Sequence, residues 1–223
     1  MTTKKQEKIK FSKAFWVANT VELFERAAYY GVFIVITLYL SRILGFNDIQ
    51  AASIAGIFSA CLYLLPTFAG ALADKIGFRN SMLLAFTLLT CGYLGLAVYP
   101  TWLQSAGLVE YSTTTTFTGL LESNLQYGII PIMALIVCGG AFIKSVISGT
   151  VAKETTPETR AKGFSIFYAM VNIGAFSGKT IVKPLREALG NEGLITLNYF
   201  SASNAKKELI CLMPSNVSAL TSF

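Results

Sequence analysis
The stretch Glu22-Leu23-Phe24-Glu25-Arg26-Ala27-Ala28-Tyr29-Tyr30 decides how this chain is read. It sets three ionisable side chains inside an apolar run from about Phe15 to Tyr39, roughly the 20 or so residues that cross a hydrocarbon core as a helix. A charge at mid-bilayer costs on the order of 2.5–3.5 kcal/mol on insertion scales. Such groups persist only where they face protein or water and find partners. At ~100° per residue, Glu22, Glu25, Arg26, Tyr29 and Phe33 fall on one side of a helix. The stretch predicts a polar stripe turned towards the inside of a helix bundle.

The composition agrees. Of 223 residues, 53% are hydrophobic and 13% charged, and the mean hydropathy is +0.57. These values point to an all-α, multi-pass membrane protein in contact with the lipid bilayer. The net charge of +6 does not indicate nucleic acid, because the cations sit between apolar spans and no basic-aromatic pattern repeats. The absence of histidine excludes a His-based triad or metal site. The four cysteines have no CxxC or metal-like spacing. Cys61, Cys91 and Cys138 lie in apolar spans and read as small free packing residues. With no nucleophile–base pair, metal cluster or phosphate loop, no enzyme, cofactor or metal is expected.

Residues 1–13 form a basic tail with Lys4, Lys5, Lys8, Lys10 and Lys13. The run after it is too long for a signal peptide, carries charges and lacks a small-residue cleavage site, so it reads as a retained first helix. A transmembrane bundle is expected over 14–197, with spans at about 15–39, 49–73, 81–99, 127–151 and 163–182. Gly174 and Gly178 in the fifth have the GxxxG spacing that lets helix backbones approach closely. The loop of about 101–125 holds Thr113–Thr116, Glu110 and Glu122 and no Lys or Arg.

Positive charge sets the orientation. The tail, the connector with Lys75 and Arg79, and the connector with Lys153, Arg160 and Lys162 alternate with cation-poor loops. The N-terminus is therefore expected in the cytoplasm, with the protein in the plasma (inner) membrane. Lys183 and Arg186 weaken that alternation without reversing it. Residues 198–223 do not read as a span, since Lys206, Lys207, Glu208 and Pro214 leave no apolar run of about 17. Five complete helices and an atypical or truncated sixth are expected. A truncation or frameshift near Ser203 would produce such a tail, and so would a true five-span protein.

Glu22-x-x-Glu25-Arg26 followed by Tyr29-Tyr30-Gly31 resembles the first-helix motif of the proton-dependent oligopeptide transporters, a branch of the major facilitator superfamily. Gly70-Ala-Leu-Ala-Asp74-Lys-Ile-Gly77-Phe-Arg79 resembles the superfamily's loop between the second and third helices. Phe167-Tyr168-Ala-Met-Val171-Asn172-Ile-Gly174 resembles the peptide-transporter fifth-helix signature, with Val171 where Ile is more usual. Lys144 stands where that family carries a fourth-helix lysine, but Ser145-Val146 follows it where many members have Pro-Asn. The resemblance covers about residues 12–203, as the N-terminal half of such a transporter.

The resemblance implies proton-coupled symport of di- and tripeptides, with proton coupling at Glu22, Glu25, Arg26 and Lys144. It implies peptide contact at Arg26, Tyr29, Tyr30, Tyr63, Lys144 and Asn172, and a cytoplasmic gate at Gly70, Asp74, Gly77 and Arg79. Depth supports a shared site. At ~1.5 Å rise per residue, Glu22 and Lys144 lie ~10 Å from the cytoplasmic end, Asn172 ~14 Å, Tyr63 ~15 Å and Arg26 ~16 Å. The charges of Glu22, Glu25, Arg26 and Lys144 sum to zero, so protonating one glutamate frees a cation for a substrate carboxylate.

Plainer roles stay open. Glu22 and Arg26 fit a self-neutralising i,i+4 pair, the three tyrosines ordinary packing, and Asn172 an interhelical hydrogen bond. Asp74, read as starting the next helix, could hold a gate through helix dipoles or simply make a turn. Arg79 fits a positive-inside anchor, and Lys179 reads as snorkelling to the interface. A related facilitator for nitrate or amino acid conjugates, or a non-transporting membrane module that pairs with a missing C-terminal half, remains an alternative. A lone N-terminal half is expected not to transport.

Overall fold
The structure is a computed structural model, which describes residues 11–108 and 124–211, without the side chains of 78, 183, 185, 186, 188–197 and 208–211. The described residues are helical, with no strand among them. In chain order they form α1 (Lys13–Phe33), α2 (Ile36–Arg42), α3 (Asp48–Ile76), α4 (Phe78–Ser105), a 3-10 turn (Asn124–Gly128), α5 (Ile129–Lys153) and α6 (Arg160–Cys211). The residues 1–10, the loop acids Glu110 and Glu122 with Thr113–Thr116, the chain beyond 211 and the Cys211 side chain lie outside the described residues.

The expected first span is present but broken. Ser12 caps α1 by accepting a hydrogen bond from the Phe15 N–H at 3.1 Å. The helix then interrupts at Ile34–Val35 before α2 resumes. Val32, Ile34, Val35, Ile36 and Thr37 crowd this point, and β-branched side chains lose χ1 freedom in a helix. Asn47 opens α3 through a reciprocal capping box with Gln50. The turn into α4 is shorter than expected. Gly77 alone, at φ +88°, joins Ile76 to Phe78, a backbone conformation that glycine adopts without steric cost. The helix that carries the expected third span therefore starts at Phe78.

Two helix-interior prolines add the same device. Proline has no N–H, so it leaves the carbonyl four residues earlier without its helical partner. Pro100 frees the Leu96 carbonyl, which accepts the Tyr39 hydroxyl from α2. Pro66 frees the Leu62 carbonyl, which accepts the Lys144 ammonium from α5 at 3.2 Å. A neighbouring helix supplies the missing donor each time, so the proline is tolerated and the two helices are tied together.

In the bundle, α1 runs along α6, α4 along α5 and α6, and α3 along α5. Gly174 and Gly178 make the α1–α6 approach, since a Cβ on either would strike the backbone carbonyls of Leu23 and Ala27. Ser201 Oγ donates to the Ala28 carbonyl at 3.2 Å. Gly178 and Ser201 therefore both sit beside the middle of α1, although a straight helix would separate them by about 35 Å at 1.5 Å per residue. The 52-residue α6 must fold back between them, and Pro184 lies in that stretch.

The chain from 198, expected as a non-membrane-like tail, is not, as far as it is described, among the stretches apolar enough to cross a membrane. It stays helical to Cys211, with Asn198, Ser201, Ala202, Asn204 and Ala205 buried. Their spacing puts small and polar residues on one face, which packs on other helices by close approach rather than by apolar length.

Among the described residues, four stretches are long and apolar enough to cross a membrane: Lys13–Arg42, Asp48–Ile76, Arg79–Ser105 and Asn124–Lys153. The expected fifth span, 163–182, is helical within α6 but is not one of those four. Large apolar side chains such as Ile57 and Phe68 are exposed, a surface suited to hydrocarbon and costly in water. Cys61, Cys91 and Cys138 are free, but Cys91 and Cys138 face outward rather than into the packing.

Candidate functional site
The stripe on α1 is inside the bundle. Glu22, Glu25 and Arg26 are all under 7% exposed. Arg26 Nε stands 3.0 Å from Glu22 Oε1, one helical turn back. Arg26 Nη2 stands 2.5 Å from Glu25 Oε2. A planar guanidinium can present separate N–H groups to two carboxylates at once, which an ammonium on a single point cannot match. The i,i+4 spacing supplies one contact and the adjacent residue the other. The three groups keep one net negative charge.

The aromatic residues continue from there. The Arg26 guanidinium lies over the Tyr29 ring, 5.5 Å from its centroid. Tyr29 stacks on Phe33 at 5.3 Å and meets Tyr30 edge-on at 5.1 Å. Phe33 stacks in turn on Phe58 of α3. The buried charges are thus walled on one side by rings that limit water access.

Lys144 on α5 supplies the balancing charge but does not touch a carboxylate. Among the described residues, none lies within 4 Å of it. Its ammonium donates to the Leu62 carbonyl and stands 4.5 Å from the Tyr63 ring centroid. Ser145 beside it donates to the Pro66 carbonyl at 2.6 Å, and Gly70 leaves room for that hydroxyl. The serine that departs from the family pattern has a local use: it fastens α5 to the proline turn of α3.

Pro66 was not singled out as a site residue, although a proline inside an apolar span is a visible signal. It makes the acceptor that holds Lys144. Pro66→Ala should return a helical donor to the Leu62 carbonyl and weaken the claim of Lys144 on it. The expected result is acylation of Lys144 by an amine-reactive reagent about three- to tenfold faster than in the parent chain, measured by peptide mass spectrometry. An unchanged rate would mean that the proline does not set the lysine's position.

The other expected residues are less tightly drawn in. Tyr63 is exposed beneath Lys144. Asn172 is exposed on α6, two residues from Gly174, which packs against Leu23 and Arg26. Among the described residues no hydrogen bond ties Asn172 or Tyr30 to the ion-pair cluster.

At the other end of α3, Asp74 and Arg79 are exposed on either side of Gly77. Asp74 lies in the last turn of α3 and not at the start of α4. It therefore sits at the negative end of its own helix dipole, where a carboxylate gains nothing from that helix. Lys179 is exposed, with its ammonium 4.9 Å from the Tyr30 ring centroid.

Residues 19–182 match the family described as Major Facilitator Superfamily. The chain is 31% identical over 171 residues to dipeptide and tripeptide permease A of Salmonella typhi, covering 74% of this chain and 29% of the permease. It is 27% identical over 181 residues to dipeptide and tripeptide permease B of Yersinia enterocolitica, covering 80% of this chain and 32% of that protein. The chain thus spans under a third of the length of these curated relatives.

Among solved structures, a peptide transporter POT mutant in complex with sulfate superposes with a TM-score of 0.73 at 23% identity, over 94% of this chain and 39% of the other. A structure described under substrate recognition in proton dependent oligopeptide transporters gives 0.70 at 24%, over 94% and 42%. At these identities the structural likeness speaks for the fold.

Proposed function
Because the chain belongs to the Major Facilitator Superfamily, a family of transporters, we propose that it forms the N-terminal wall of a proton-coupled di- and tripeptide symporter. One observation carries the reading. Arg26 holds two buried glutamates while Lys144 is kept on a backbone carbonyl of α3, so two cations stand near one another with different partners. The names of the relatives, dipeptide and tripeptide permeases, supply the substrate class.

Protonation of Glu22 or Glu25 removes a negative partner from Arg26. The guanidinium then has N–H groups to offer to a peptide carboxylate, bidentately. Lys144 leaves the Leu62 carbonyl and the Tyr63 ring for the same carboxylate. Tyr29, Tyr30, Tyr63 and Asn172 give hydroxyl and amide groups for the rest of the peptide. Release follows deprotonation, when the glutamates recapture Arg26. The turn at Gly77, with Gly70, Asp74 and Arg79, lies at the cytoplasmic end and serves the gate. The lysine-rich sequence before α1 favours a cytoplasmic N-terminus in the inner membrane.

Alternating access needs a second wall across the cavity, so the 223-residue chain by itself is expected to bind the carboxylate end of a peptide and not to transport it. Dialanine binding to the chain in lipid nanodiscs, followed by saturation-transfer NMR, tests this. Binding should strengthen as the pH falls from about 8 to about 5.5, because the proton and the peptide carboxylate both favour an Arg26 freed from glutamate. Glu22→Gln with Glu25→Gln should flatten that dependence. No dialanine binding at any pH would overturn the peptide reading, and pH-independent binding would overturn the role of the glutamates. Nitrate binding in place of dialanine would favour another substrate class.

A further inference from the structure
The polar ridge of α1 does not stop at Arg26. Glu22, Arg26 and Tyr30 are four residues apart and follow one line along the helix. Tyr29, under the Arg26 guanidinium, meets the ring of Tyr30 edge-on at 5.1 Å. Beyond Tyr30 stands the ammonium of Lys179, 4.9 Å from the ring centroid. Two cations, Arg26 and Lys179, therefore bracket a pair of tyrosine rings.

The backbone fixes this arrangement. Gly178 brings α6 against the Ala27 carbonyl, and a Cβ on Gly31 would lie 3.8 Å from the Gly178 carbonyl. Lys179 thus enters the space beside Tyr30 from a helix that is already in contact with α1. Lys179 and Asn172 are both exposed and seven residues apart, so they share one face of α6 two turns from each other. Among the described residues no carboxylate lies within 4 Å of Lys179. A ring face leaves ammonium N–H groups free to donate.

We propose that Lys179, seated on Tyr30, is a second anion-binding position of the same cavity, and that its ligand is the side-chain carboxylate of an acidic peptide. The inference rests on the peptide reading above. Arg26 and Lys144 take the main-chain carboxylate, and Lys179 takes the second one. Along α6, Lys179 lies about 10 Å further out than Asn172 at 1.5 Å per residue. That separation is close to the reach of an extended dipeptide, at up to about 3.6 Å per residue, with a glutamyl side chain added. The other source of an anion at this depth is a lipid headgroup. A lysine that snorkelled to one would leave the ring and would not discriminate among peptides.

The test uses the full 223-residue chain in nanodiscs and two nearly isosteric peptides, glutamyl-alanine and glutaminyl-alanine, with dissociation constants from saturation-transfer NMR. Glutamyl-alanine should bind about fivefold more tightly, the effect of one partly exposed charge pair. Lys179→Gln should bring the two peptides to parity and leave glutaminyl-alanine unchanged, which also reports that the variant is folded. Lys179→Arg should keep the preference. Equal binding of the two peptides by the parent chain would overturn the proposal alone, as would a preference that survives Lys179→Gln. Failure of both peptides to bind the parent chain would overturn the peptide reading and this inference with it.

Discussion

Replacing Arg26 with methionine is expected to destabilise the folded chain by about 3–5 kcal/mol, the cost of leaving buried charges without their partner. The reasoning is electrostatic. Glu22 and Glu25 are both 4% exposed and share this guanidinium. Without it, two carboxylates face each other in a dry site, and Lys144 is held by the Leu62 carbonyl. Methionine keeps much of the arginine stem's apolar volume, so the loss is of charge more than of packing. The control is the triple variant Arg26→Met, Glu22→Gln, Glu25→Gln. It removes the charges together and should regain most of the lost stability, because a buried ion cluster replaced as a unit often costs little. Thermal unfolding in nanodiscs reads both variants. If Arg26→Met alone were neutral, the three groups would have to be hydrated, and the site as described would be wrong.

The second large effect concerns α6. Gly178→Ala and Gly174→Ala should each destabilise the chain by about 1–3 kcal/mol through overpacking. At most helical sites the same change stabilises by up to about 1 kcal/mol, since alanine is the better helix former. The sign reverses here because the added methyl meets backbone carbonyls of α1 at Leu23 and Ala27, which no rotamer change can move. Gly56 in α3 and Gly149 in α5 give the comparison, because a Cβ on either meets nothing within 4 Å. Gly56→Ala and Gly149→Ala should be neutral or mildly stabilising. All four variants behaving alike would mean that α1 and α6 are not in backbone contact. Gly178→Ala should also separate Lys179 from Tyr30 and so weaken the acidic-peptide preference. These two glycines are one turn apart, so their effects are expected to couple rather than add.

Much of the site is local and could be read from the chain. The i,i+4 spacing of Glu22 and Arg26 fixes one ion pair in any helix. GxxxG at Gly174 and Gly178 announces a close helix contact, although not with which helix. The span ends were less legible. Gly77 carries the whole turn between α3 and α4 with a single left-handed residue, where the charged residues around it suggested a longer connector. Residues 198–207 lack an apolar run, yet Asn198, Ser201 and Ala202 are buried. Their face packs on other helices by small size, and a reading based on apolar length has no term for that.

The sequence by itself determined that an all-helical bundle buries a charged stripe and that Glu22, Glu25, Arg26 and Lys144 balance one another. Spacing along a helix and the cost of charge in an apolar run are properties of the chain alone. Only the tertiary structure decided who holds whom. Arg26 takes both glutamates, Lys144 takes the Leu62 carbonyl, and Lys179 takes the face of Tyr30. Those choices depend on the register between helices. In the case of Lys144 they also depend on a backbone acceptor that Pro66 sets free, a group that no listing of side chains contains.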